Sequence, residues 1–294
     1  MRTLLSFLLF SSLSVAQGPS LSAITAAEEW LPVAKIIGKA GTLQNGVYKI
    51  GLPRTDLNVH IGDTKVEPAA GLGSWMAFHF AETDTIADGD LVLTAAEVNP
   101  VISALQAGGI EVSAIHNHLI GEEPQVMYVH FFGKGKRDSL AQTLKSALDA
   151  TKTPIASVSA AVMAPPFAEQ KLIETNLGKT ATPNGTVLGF AFPRPHSITM
   201  HKEFLAPSMG MATAINFQRS SKGVAATGDF VLRESEVQAV VAVLRKGGIW
   251  VTAMHNHLLE DEPRMVFVHF WAEGQADQVS KGLRAALDAA SAGK

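Results

Sequence analysis

The sequence predicts an α+β fold built twice: a two-layer β-β-α-β-β-α unit, tandemly duplicated and packed as a pseudo-twofold pair. Three observations carry that expectation. The segment GDLVLTAAEVNPVISALQAGGIEVSAIHNHLIGEEPQVMYVHFFGKG from Gly89 returns without a gap 139 residues later as GDFVLRESEVQAVVAVLRKGGIWVTAMHNHLLEDEPRMVFVHFWAEG from Gly228. Inside each copy, short apolar runs alternate with segments of helical periodicity. The chain has 294 residues, 47% of them hydrophobic, enough for two cores of about 130–150 residues each.

The repeats span residues 27–150 and 167–290, joined by a connector at 151–166. Pro53-Arg54 matches Pro193-Arg194, and Gly38-Lys39 matches Gly178-Lys179, at an offset of 140. After an N-terminal helix and hairpin, Trp75–Phe80 and Asp90–Leu93 read as strands. Thr94 then caps a helix to about Ala107, with Glu97 three residues on in a capping-box pattern and Pro100 as an irregularity. Gly108-Gly109 ends it. Ile110–Leu119 reads as a strand, Gly121–Pro124 as a turn and Val126–Phe132 as the return strand. Asp138–Ala150 is an amphipathic helix with Leu140, Leu144, Ala147 and Leu148 on one face. In the connector, Pro154, Pro165 and Pro166 break structure, while Ile155–Ala160 could add a strand.

Composition narrows the function. Charged residues are only 17%, the net charge is −3, and no basic surface invites nucleic acid. The absence of cysteine excludes disulfides, zinc-thiolate sites, iron–sulfur clusters and cysteine nucleophiles. Residues 1–16, MRTLLSFLLFSSLSVA, have the basic start, apolar stretch and small-x-small end of a signal peptide, with cleavage expected before Gln17. The apolar run is too short for a membrane span, and no later segment is long enough. This predicts an exported protein, periplasmic or extracellular.

The chemistry concentrates in a hairpin. His116 and His118 are two apart and share a strand face, and a hairpin centred near Pro124 puts His130 roughly opposite His118. His255, His257 and His269 repeat the set. Three converging imidazoles with open positions are a metal-site geometry in each repeat, zinc by default, with copper, nickel or non-haem iron also compatible. Glu123 and Glu262, in the intervening turns, are candidate general bases or further ligands. The alternative is a hydrogen-bonded cluster that is structural or holds an organic ligand. Asn117 and Asn256 fall on the other face, where bonding to a loop is their expected role.

Other features carry less. Arg54 could clamp an anion, but a salt bridge to Asp56 is the simpler reading. His60, His79, His196 and His201 do not repeat; His60 aligns with Met200 and His79 with Asn216. Trp75, Trp271, Phe131 and Phe132 read as core aromatics. The contiguous His-Asn-His is not the dispersed motif of HNH nucleases, and flanking helices separate it from an all-β cupin.

The segments GLPRTDLNVHIGD, GLGSWMAF, GDLVLTAAEVNPVISAL, GGIEVSAIHNHL and EPRMVFVHFW resemble the LppY/LpqO family of exported bacterial proteins. The resemblance covers both repeats and implies export and a two-repeat architecture. Many members are lipoproteins; the lipobox cysteine is absent here. The family brings no substrate. The expected function is therefore metal-assisted hydrolysis or oxidation of a small molecule, or alternatively non-catalytic binding of a metal or a cell-envelope ligand.

Overall fold

The computed structural model describes residues 28–155 and 167–291. The leader-like segment lies outside the described residues, as do residues 156–166 of the connector and with them all but Ile155 of its strand candidate.

The first half runs α1 (Leu31–Ile37), β1 (Thr42–Gln44), β2 (Val47–Pro53), β3 (His60–Ile61), β4 (Thr64–Lys65), α2 (Pro68–Gly71), β5 (Gly73–Phe80), β6 (Thr85–Leu93), α3 (Ala95–Ala107), β7 (Glu111–His116), β8 (Glu122–Glu123), β9 (Met127–Gly135) and α4 (Arg137–Asp149). The second runs α5 (Gln170–Leu177), β10 (Thr182–Asn184), β11 (Val187–Pro193), β12 (Ile198–Met200), β13 (Glu203–Leu205), β14 (Ala212–Ser220), β15 (Gly223–Arg233), α6 (Glu234–Lys246), β16 (Trp250–His255), β17 (Asp261–Glu262), β18 (Met265–Gly274) and α7 (Ala276–Ser291). Each half has a six-stranded antiparallel sheet, ordered β1-β2-β5-β6-β9-β7 and β10-β11-β14-β15-β18-β16. The expected β-β-α-β-β-α unit is β5-β6-α3-β7-β9-α4, with the minor strand β8 set into the loop after β7.

Helices cover one face of each sheet. In α4, Leu140, Ala141, Leu144, Ala147 and Leu148 form the buried stripe, each leucine contributing roughly 1.5–3 kcal/mol by burial. They pack with Ile50, Phe78, Leu91 and Phe131 in the first core. Ile215, Phe230, Leu244 and Leu283 belong to its counterpart. The opposite faces of the sheets meet each other. Ala77, Ile86 and Phe132 pack with Met200, Val231 and Phe267, and Val92, Leu119 and Tyr128 pack with Ala225 and Trp271. The order is helices, sheet, sheet, helices.

Local chemistry accounts for the recurring dipeptides. Gly38 and Gly178 end α1 and α5 in the left-handed conformation, at φ 84° and 68°, which glycine adopts without a Cβ clash. The capping box of Thr94 and Glu97 is formed as expected, and α3 runs on through Pro100. Glu97 does more than cap. Arg54 is fully buried, donating to both Asp56 oxygens at 2.9 Å and from Nη1 to Glu97 Oε2 at 2.8 Å. Arg194 donates to Glu236 at 2.7 Å. The salt-bridge reading of the Pro-Arg pair holds.

Three expectations shift. The strand from Ile110 ends at His116, because Asn117 turns away to donate to the Leu119 and Thr252 carbonyls at 2.8 and 3.0 Å. His118 is therefore in the loop. The hairpin is centred on residue 122, not 124: Ala114 faces His130 and His116 faces Tyr128. Between the strands the chain does not close a tight turn, since β8 leaves to pair with β3 in a separate small sheet. Finally, His79 pairs with Ile86 and Gln218 with Ala225, so Gln218, not Asn216, is the counterpart of His79.

Removing one member of a buried ion pair leaves the other charge unpaired, at a cost of about 3–5 kcal/mol. Arg54→Met is expected to lower the unfolding free energy by that order, read from urea denaturation. Arg194→Met, with a side chain 10% rather than 1% exposed, is expected to cost less. Equal, small losses would contradict the role given to Arg54.

Candidate metal centre

The histidines do not form one site per repeat. The inner faces of the two sheets bring all six rings into a single cluster between the repeats. His116 stacks near His255, with ring centroids 3.9 Å apart. His118 and His269 flank that pair at 3.8 Å from each other, and His130 and His257 at 4.2 Å. Tyr128 lies over His118 at 3.5 Å and Phe267 over His257 at 3.6 Å. The two halves are tied at this seam: Thr252 Oγ1 donates to the His118 carbonyl at 2.5 Å, beside the Asn117–Thr252 bond. The bonding role expected for Asn117 thus spans the repeats, while Asn256 donates within its own loop to Leu258.

One ligand atom from each of His116, His118, His255, His257 and His269 falls within 4.8 Å of all the others. His116 Nε2 and His118 Nε2 approach to 2.9 Å. Two nitrogens each about 2.0–2.1 Å from a single ion and at roughly a right angle lie about that far apart. His130 stands beside the group, against His257.

Buried polar atoms normally have partners. Here His116 Nδ1, His255 Nε2, His269 Nε2 and both ring nitrogens of His130 and His257 have no hydrogen-bond partner among the described residues. Leaving such atoms bare costs about 1–3 kcal/mol each. The donor set, several neutral imidazoles with ligand atoms gathered within 4.8 Å of one another, is of the chemistry that suits a transition metal.

Burial and the neighbouring imidazoles hold the rings below the ordinary histidine range, His130 at about 3; for His255 the cause is burial. Neutral rings are the ligating form.

Sequence reasoning missed the acids of this seam. Asp90 faces His130 across the β6–β9 ladder, and Asp229 faces His269 across β15–β18. Asp90 Oδ2 is 3.4 Å from His118 Nε2, and Asp88 Oδ1 is 3.7 Å from His130 Nδ1. Asp90 thus approaches the same nitrogen of His118 that lies 2.9 Å from His116, so it stands beside the ligand atoms rather than behind the ring. Burial raises all three: Asp88 well above the usual range, Asp90 to about 8 with help from Asp229, and Asp229 to about 7. The signal was available, since Gly-Asp recurs at Gly89 and Gly228 inside apolar strands. Lys49 was also missed. Its ammonium lies 3.9 Å from the Trp75 ring centroid and donates to the Ser208 carbonyl at 2.7 Å. Burial lowers it to about 8, against the pull of Asp88, Asp229 and Asp90. Trp75 is only partly buried and lines a cleft of about 450 Å³ whose inner end is His118, His269, Asp90 and Asp229.

Glu123 and Glu262 are exposed residues of β8 and β17. Their backbones pair with His60 and Thr199 in the two small sheets, and they are outside the imidazole group. His201 bridges Glu111 and Glu260 at the surface.

A family described as a Domain of Unknown Function (DUF1259) matches the chain twice, over residues 31–150 and 171–289, and the protein belongs to that family. No curated protein matches it. Among solved structures, the trimeric bacterial microcompartment shell protein PduB is 10% identical, covering 85% of this chain and 90% of its own, with a TM-score of 0.23. EutL from Clostridium perfringens is also 10% identical, covering 71% and 80%, with a TM-score of 0.18. Scores this low establish no common fold. No helix among the described residues is long and apolar enough to cross a membrane.

A histidine whose folded value is depressed stays neutral in the native chain while the unfolded chain takes up a proton below about 6.5. Its contribution is therefore whole above that pH and is lost as pH falls. The raised aspartates act with the opposite sign, but six rings outnumber three acids. Metal-free protein should show a lower urea midpoint at pH 5 than at pH 6.5. A flat or rising midpoint would contradict the burial of neutral rings.

Proposed function

We propose that the two repeats together hold one divalent transition ion, zinc by default, and that it serves metal-assisted hydrolysis or oxidation of a small molecule. The observation that carries this reading is the gathering of five imidazoles from both repeats, three buried and two partly buried, with one ligand atom of each within 4.8 Å of the others and unpartnered ring nitrogens on His116, His255, His257 and His269. The ligands are drawn from His116, His118, His255, His257 and His269, with His130 beside them. A bound ion would supply a polarised water or substrate oxygen. A structural ion is enclosed by its ligands, whereas a reactive one keeps an approach; the cleft ending at His118 and His269 supports the second. Non-catalytic metal or ligand binding is the alternative, and turnover separates the two. The general base was expected at Glu123 and Glu262; we give that role to Asp90, whose carboxylate is beside His118 rather than on an exposed strand. The leader-like residues 1–16 and the resemblance to the LppY/LpqO proteins support export to the periplasm or exterior.

The stoichiometry tests the shared site. Untagged protein analysed by metal mass spectrometry is expected to carry one equivalent. Changing only His116, His118 and His130 to Ala should remove it entirely, as should changing only His255, His257 and His269. Two independent sites would leave one equivalent in each triple variant. In a hydrolase and oxidase screen, Asp90→Asn should abolish turnover found for the wild type, while Glu123→Gln and Glu262→Gln retain it. The exported chain should begin at Gln17 by intact mass.

A further inference from the structure

The imidazoles are paired across the axis, but the walls around them are not. Thr42 faces Lys49 in one hairpin, and Thr182 faces Gly189 in the other. Trp75 faces Asp90, and Ala214 faces Asp229. Asp88 lies opposite Ala77, and Thr227 opposite Asn216. The first repeat thus brings an ammonium, an indole and a carboxylate where the second has a glycine, an alanine and a threonine. The cleft of about 450 Å³ has Lys49 and Trp75 of β2 and β5 in its lining from the first repeat, and Ala214 and Asn216 of β14 from the second.

Gly51 points to what that space is for. It stands in the middle of β2, where glycine weakens a strand and often marks close approach by a ligand. Its backbone is not in the left-handed region, and a Cβ built on it would meet no atom within 4 Å. The fold does not need glycine there, and a side chain would extend into the open space that Gly51 lines. Lys49, two residues before it, is the one Lys or Arg among the described residues lining the cleft. The two acids lining it, Asp90 and Asp229, sit at the imidazole end, where a divalent ion and the Lys49 ammonium would offset them. An oxyanion entering the cleft then meets no excess negative charge, and meets the ammonium directly.

We propose that this cleft binds one small organic oxyanion per chain, its charged group on Lys49, its body along Trp75 and Gly51, and its other end towards His118 and His269. This rests on the metal reading above, because the inner end of the ligand is placed against His118 and His269, which would hold the ion. Zinc-loaded protein would be titrated calorimetrically with acetate, inorganic phosphate and benzoate, and with benzamide as the uncharged match to benzoate. Metal content would be measured on the same samples. One benzoate per chain is expected, bound at least tenfold more tightly than benzamide. Lys49→Met and Gly51→Leu should each weaken it tenfold or more with zinc retained; the second fills the cleft without touching a charge. Zinc retained with no heat from any of the three anions overturns the proposal. So does equal binding of benzamide, or binding unchanged in both variants. Protein that takes up no zinc overturns the metal reading instead, and is recognised by the metal measurement alone.

Discussion

Burying six imidazoles between two sheets is the constraint around which the rest is arranged. A sheet face that must contact another sheet is normally apolar, and here the middle of that face is polar on both sides. The apolar contacts are displaced to two flanking clusters, one around Phe132, Met200 and Phe267 and one around Val92, Tyr128 and Trp271. The rings are held between them. Asp88 and Asp90 stand beside the rings on one side, and Tyr128 and Phe267 close over two of them. The small sheets β4-β3-β8 and β13-β12-β17 anchor the loops that carry His118 and His257.

Much of this was legible in the residues. The duplication, the capping box at Thr94, the stripe of α4 and the six histidines were all visible as spacing. Spacing failed where a long-range partner decided the outcome. The hairpin centre was misplaced because β8 pairs with β3, some sixty residues earlier in the chain, and nothing between His118 and His130 reveals that. Placing one site in each repeat failed for the same reason: periodicity assigns a face to a strand but does not say which sheet will lie against it. Lys49 and Trp75 read as ordinary strand residues because the cleft they line is shared with Ala214 and Asn216 of the other repeat, which no local pattern reveals. The aspartates could have been caught, since a carboxylate in the apolar run GDLVL needs a reason to be there.

The electrostatic logic follows from the same burial. Rings kept neutral and acids kept close are both unfavourable for an empty interior, and each makes sense in the presence of a cation. The stability of the fold and the occupancy of its centre are then one equilibrium, since anything bound only by the native state stabilises it.

The covalent join between the halves has a consequence of its own. Two separate copies of one repeat, related by a true axis, would have to carry the same residue on both sides, so a lysine at one wall would come with a second lysine at the other. The fused chain has no such obligation. It keeps Thr42 and Thr182 at matching positions while pairing the first with lysine and the second with glycine. The centre is thereby handed: the wall that Lys49 and Trp75 bring from the first repeat differs from the one Ala214 brings from the second, and a molecule lying in the cleft presents a different face to each.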